Sequence, residues 1–127
     1  MIPGKTPRHP SFKRSFLFAL QGFRTAFTQE RNIKVMVGIG ACAVIAGLIL
    51  RLDLVSWGVV LVCCGCVIAT ELVNTAIETV VDLVSPEFHP LAGRAKDIAA
   101  AASWTISAFV AAAGLLVYLN ALMKLLA

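Results

Sequence analysis

Three stretches of this chain are long and apolar enough to demand a membrane. The first covers 33–50 and is broken only by Lys34 near its start. The second opens at Leu54 and meets no charge until Glu71, after which its helical pattern runs on to about residue 84. The third carries no charge from Ile98 to Met123, inside a helix expected over 96–124. A bilayer core takes roughly 20 apolar residues of helix, and each stretch is near that length. The same residues exclude a soluble fold. Of 127 residues, 59% are hydrophobic and 14% charged, more apolar surface than a domain this small can hide from water. The chain reads as a single all-α membrane domain over 1–127.

The segments outside the spans add detail. Pro3, Pro7 and Pro10 block regular structure, so residues 1–10 are expected to be mobile; Ser11 is placed to cap the next helix. Over 11–30, Phe12, Phe16, Leu20, Phe23 and Phe27 recur every three or four residues and make one apolar face. Lys13, Arg14, Gln21 and Arg24 flank it, the pattern of a helix lying in the membrane interface; packing onto protein is the alternative. Arg51-Leu52-Asp53 is a nearly minimal link, which implies a tight hairpin between the first two spans. Pro86, Pro90 and Gly93 mark 86–93 as a shaped turn before the third span. That span is rich in small residues, with Ala99 to Ala102, Ser103, Ser107 and Ala111 to Gly114. Such helices pack closely in lipid, which favours oligomers.

Cations set the orientation. Lys5, Arg8, Lys13, Arg14, Arg24, Arg31 and Lys34 precede or open the first span, and Arg94 and Lys96 lie between the second and third. Arg51 alone falls in the first link and Lys124 alone near the end. The N-terminus and second loop are thus expected in the cytoplasm. A net charge of +4 so placed suits an anionic lipid surface and calls for no nucleic acid. Cys42, Cys63, Cys64 and Cys66 all fall within spans; Cys63 and Cys66 form a C-x-x-C, but small filler at helix contacts is the better reading, and no disulfide is expected.

Chemistry is concentrated in the acids. Six of the seven, Glu30, Glu71, Glu78, Asp82, Glu87 and Asp97, fall on or near the cytoplasmic side, with Asp53 opposite. Glu71, Asn74, Glu78 and Asp82 are spaced by three, four and four. At about 100° per residue they share one stripe, roughly 80° wide and rising about 16 Å. Glu71 then lies just inside the membrane boundary, where an acid is costly and marks function by default. Like charges on one stripe ask for cations, and oxygen ligands alone suit Mg²⁺. Arg94 and Lys96, expected at the start of the third helix, add positive charge where a helix N-terminus favours phosphate. Acids, metal and a phosphate-binding cation together point to a nucleotide site at the membrane surface. A P-loop motif is lacking, and Gly38-Ile39-Gly40 sits inside a span.

The run from Thr70 to Asp82, followed by Glu87-Phe88-His89 and Gly93-Arg94-Ala95-Lys96-Asp97, resembles the prokaryotic diacylglycerol kinase family, which includes undecaprenol kinases. The resemblance covers about residues 11 to 120 and implies a homotrimer of protomers with one interfacial helix and three spans, sharing active sites. It matches Glu71 to the general base for a lipid hydroxyl, and Glu78 and Glu30 to the metal-binding acids. Glu30, Glu78, Glu87, His89, Lys96 and Asp97 match ATP-binding positions, and Asn74 and Asp82 supporting ones. Mg²⁺ and ATP are the implied cofactor and phosphoryl donor. Two positions depart from the pattern: Ser11 stands where the family has an N-terminal Arg, with Lys13 and Arg14 nearby, and Phe88 stands where a Tyr is common. Asp82-Leu83-Val84-Ser85-Pro86 and His89-Pro90-Leu91-Ala92 are more similar to the Gram-positive branch, which implies undecaprenol as substrate, with diacylglycerol as the alternative. The expected enzyme is a multi-pass protein of the bacterial cytoplasmic membrane, with its site facing the cytoplasm. A small proton-coupled transporter subunit, with Glu71 as carrier, is the rival class; it leaves the run to Asp82 and the Lys96-Asp97 pair unexplained.

Overall fold

A computed structural model describes residues 11–127; the expected mobility of 1–10 lies outside them. The described residues form four helices and no strand: α1 (Phe12–Gln29), α2 (Arg31–Ile49), α3 (Leu54–Val84) and α4 (Pro90–Leu126). The last three are long and apolar enough to cross a membrane. At 31 residues, α3 is about 46 Å long by the ~1.5 Å rise per residue, well beyond a hydrocarbon core of about 30 Å. Its surplus is the acidic end.

Glu30 forms the break between α1 and α2 in extended conformation, its N–H bonded to the Ala26 carbonyl at 2.8 Å. Lys34, the one charge in the first apolar stretch, turns back and donates to the Thr28 carbonyl at 2.9 Å, covering an end of α1 that would otherwise be unsatisfied. Ser11 holds the N-cap position of α1, but its side chain makes no capping bond. Phe12, Phe16 and Leu20 stay exposed while Ala26 is buried, so most of the aromatic face is left open by the protein.

The hairpin between α2 and α3 is closed by a Schellman turn. Arg51 N–H donates to the Leu48 carbonyl and Leu52 N–H to the Gly47 carbonyl, at 3.3 and 3.1 Å. Arg51 takes the left-handed φ of 54° that a glycine usually supplies there. Gly47 faces Leu52 and Trp57 so closely that a Cβ would lie 2.9 Å from both. Asp53 then caps α3, accepting from Ser56 N–H at 2.9 Å. Its other oxygen accepts from Lys124 Nζ at 3.2 Å and ties the far end of α4 to the hairpin. Leu52, Val60 and Ala121 form a small core beside this clip, and Tyr118 Oη reaches across to the Ala43 carbonyl of α2.

The helix α4 starts earlier than the sequence pattern implied. Pro90 is its first residue, and His89 caps it, accepting the Leu91 N–H on Nδ1 at 3.2 Å. A proline there has a preset φ and no N–H to leave unsatisfied, so the expected turn over 86–93 ends at His89. Arg94, Lys96 and Asp97 consequently sit within the helix and not at its N-terminus.

Packing is closest between α3 and α4. Between α2 and these two lies an apolar cavity of about 770 Å³, whose walls include Met36, Ile39, Val59, Val67, Trp104 and Leu115. Cys63 and Cys64 also line it, and all four cysteines are free thiols.

Candidate active site

The polar stripe of α3 passes from a buried end to an open one. Glu71 is only 3% exposed and Asn74 7%; Glu78 is half-buried and Asp82 exposed. The helix that carries them packs against α4, α2 and α1, on which Ala99 and Ser103, Ile33, and Ala26 are also buried. Asn74 Nδ2 donates to Glu78 Oε1 at 3.0 Å, one turn along the same face. That bond orients the Glu78 carboxylate and leaves its second oxygen available. Asn74 Oδ1 is buried and has no partner among the described residues.

Asp82 accepts from Lys96 Nζ at 2.5 Å. The pair brings the open end of the stripe together with the cation of α4. Asp97, next along α4, is exposed, as are Glu87 and His89 in and beside the loop. Ser85 Oγ donates to the Glu87 carbonyl at 3.0 Å and shapes that loop. Because His89 Nδ1 accepts, a neutral imidazole carries its proton on Nε2, which then points a donor away from the helix end.

Glu30 stands at the α1–α2 joint, half-buried, and α1 packs against α3. No group of three or more His, Cys, Asp or Glu side chains converges as a metal cluster among the described residues. The donors present nonetheless fit Mg²⁺, which is commonly held by one or two carboxylates with the remaining positions filled by phosphate and water. The Glu78 carboxylate, oriented by Asn74, has the support that ligating carboxylates usually have. Two features escaped the sequence reading. In sequence Ser103 is one small residue among alanines, yet its buried Oγ lacks a partner among the described residues. Asp53 was the odd acid on the far side, although Asp53-x-x-Ser56 is a capping spacing.

Three helices long and apolar enough to span a bilayer, an amphipathic helix at one end, and an acidic stripe running from a buried carboxylate to an exposed Lys–Asp pair define a membrane protein with a candidate site along α3. The chain belongs to the prokaryotic diacylglycerol kinase family, whose sequence model matches residues 17–118. It is 34% identical to an undecaprenol kinase of Bacillus subtilis over 85% of this chain and 88% of that protein. It is 32% identical to a diacylglycerol kinase of Helicobacter pylori (strain ATCC 700392 / 26695), covering 79% of this chain and 85% of the relative. With the diacylglycerol kinase of Escherichia coli K12 the identity is 40%, over 61% of this chain and 58% of the other.

Proposed function

We propose that this protein transfers the γ-phosphoryl group of ATP to the hydroxyl of a membrane lipid alcohol, with undecaprenol preferred over diacylglycerol. One observation carries the reading: a single stripe on α3 joins a carboxylate buried at the membrane end, Glu71, to an exposed acid, Asp82, paired with Lys96. A lipid kinase needs such a line, because its acceptor comes from the bilayer and its donor from water. The preference for undecaprenol draws on the Bacillus subtilis relative and on the local sequence around Ser85-Pro86 and His89-Pro90.

In this mechanism the hydroxyl oxygen attacks the γ-phosphorus, its proton passes to the Glu71 carboxylate, and ADP leaves. Phosphoryl transfer depends chiefly on alignment and charge stabilisation. Lys96 turns from Asp82 to the phosphates; His89 Nε2, Glu87 and Asp97 face the nucleotide from the loop and α4. Glu30 and Glu78 would hold Mg²⁺, which would supply neutralisation of the phosphate charge. Asn74 keeps Glu78 in place, and Asp82 keeps Lys96 near. The site faces the cytoplasm of a bacterial cell, by the excess of cations flanking it. The open aromatic face of α1 lies on the lipid surface, and the small-residue face of α4 joins protomers in a homotrimer.

The direct test is transfer of labelled phosphate from ATP to lipid by the purified protein in bilayers containing undecaprenol or diacylglycerol. Labelled undecaprenyl phosphate is the expected main product. Label in phosphatidic acid alone would reverse the substrate preference, and label in neither lipid would reject the function.

A further inference from the structure

Two buried polar atoms lack partners among the described residues: Asn74 Oδ1 and Ser103 Oγ. Both residues are only 7% exposed. Buried polar groups nearly always have partners, so each orphan calls for one. Ser103 also leaves unused the local remedy taken by its neighbours. Thr105 and Ser107 donate to the carbonyls of Ala101 and Ser103, at 2.7 and 2.8 Å, whereas the Ser103 hydroxyl makes no such bond.

The two orphans lie at one depth. Counted from the Asp82–Lys96 pair, Asn74 is eight residues back along α3 and Ser103 seven along α4. At ~1.5 Å per residue these are about 12 and 10.5 Å from the clip. The Asp53–Lys124 pair at the other end of the same two helices gives the same register to within one residue. By that register Ser107 is level with Glu71. Ser107 also lines the apolar cavity, as do Val67, one turn from Glu71, and Trp104, which adjoins Ser103. The cavity therefore reaches the depth of the two orphans and the buried acid, although none of the three lines it.

We propose that Ser103 and Asn74 form the socket that receives the hydroxyl of the lipid alcohol and presents it to Glu71. This rests on the lipid-kinase reading and extends it to a residue on the opposite helix. An alcohol offers one donor and two acceptor sites. On arrival it donates to Asn74 Oδ1 and accepts from Ser103 Oγ–H, satisfying both orphans at once. On attack, its proton moves to the Glu71 carboxylate, one turn away on the same face, and the new bond forms between its oxygen and the γ-phosphorus as the bond to ADP breaks. Ser103 keeps its own proton throughout and is a substrate-binding residue.

Ser103→Ala tests the socket. Alanine favours helix, and removing an orphan hydroxyl from an apolar seam leaves no new unsatisfied group, so the variant folds. Binding of undecaprenol and of the same hydrocarbon without its hydroxyl is measured by native mass spectrometry from nanodiscs, alongside steady-state kinetics. The wild type is expected to prefer the alcohol. In Ser103→Ala that preference falls about 3- to 10-fold, the worth of one neutral hydrogen bond; the KM for the lipid alcohol rises by a similar factor and that for MgATP is unchanged. The same pair of ligands built on diacylglycerol gives the same pattern. An undiminished preference in Ser103→Ala would overturn the socket and assign the orphans to water, and a wild type without preference would overturn it as well. A wild type that prefers the alcohol yet transfers no phosphate would leave the socket standing and remove the kinase function instead.

Discussion

Lys96→Met separates binding from scaffolding at the open end of the site. In the structure Lys96 is committed to Asp82, but the side chains are 38% and 66% exposed. An ion pair that wet contributes about 0–1 kcal/mol at most, so losing it leaves the fold intact. A charge-assisted hydrogen bond to phosphate is larger, about 1.5–3 kcal/mol, which corresponds to roughly 10- to 100-fold in affinity. Methionine keeps the length and apolar stem of lysine and removes the charge alone. The paired variant, Asp82→Asn, breaks the same ion pair and leaves the ammonium free. Nucleotide affinity of both, measured by titration with a non-hydrolysable MgATP analogue, is the assay. Lys96→Met should lose about 10- to 100-fold and Asp82→Asn a few-fold at most, with the melting temperatures of both near wild type. Equal losses in the two variants would refute direct phosphate contact and make the pair a structural clip.

Other outcomes follow from single contacts. Glu78→Asp withdraws the carboxylate by one methylene from where Asn74 holds it; apparent Mg²⁺ demand should rise and kcat fall, and an unchanged Mg²⁺ dependence would take Glu78 out of the metal site. Gly47→Leu forces atoms against Leu52 and Trp57, where a Cβ alone would lie 2.9 Å away, and should cost about 1–3 kcal/mol of stability in a detergent-unfolding assay. By contrast Gly40→Ala, whose Cβ meets only Cys64 Sγ at 3.6 Å, should cost nothing. At Asp53 the Ser56 amide, and then Lys124, hold the carboxyl below its ordinary range. Its contribution is therefore complete above that range and lost as pH falls through the lowered value. The difference in melting temperature between wild type and Asp53→Asn should be constant near neutrality and close only below about pH 4.

Much of this arrangement was legible in the amino-acid order because the membrane leaves few choices. A helix is the only structure in which an isolated apolar segment satisfies its own backbone in lipid, so length and charge located α2, α3 and α4. The stripe from Glu71 to Asp82 was legible for the same reason: once the helix is granted, its period fixes the face. What was hidden depended on tertiary partners or on residues in unusual roles. Proline read as a turn at Pro90 because it breaks helices from within, yet it opens α4. The hairpin's left-handed residue is Arg51, with no glycine there to announce it. Ser103 looked like one more small residue among alanines, and only the burial of its hydroxyl sets it apart. The Lys96–Asp82 and Lys124–Asp53 ion pairs join residues 14 and 71 positions apart, beyond any local pattern.

The central claim is that Glu71 activates a lipid hydroxyl, and Glu71→Gln tests it most directly. Glutamine keeps the size and hydrogen-bonding reach of glutamate and removes the base. Folding should survive, since a neutral amide is less costly than a carboxylate at a position only 3% exposed. Phosphoryl transfer and nucleotide affinity are to be measured on the same purified variant. The account predicts a folded protein that binds MgATP as the wild type does, with kcat lowered about 10²- to 10⁴-fold, the worth of a positioned general base. Near-normal turnover would contradict the assignment of Glu71 as the base, and lost nucleotide affinity would show that Glu71 holds the site together instead.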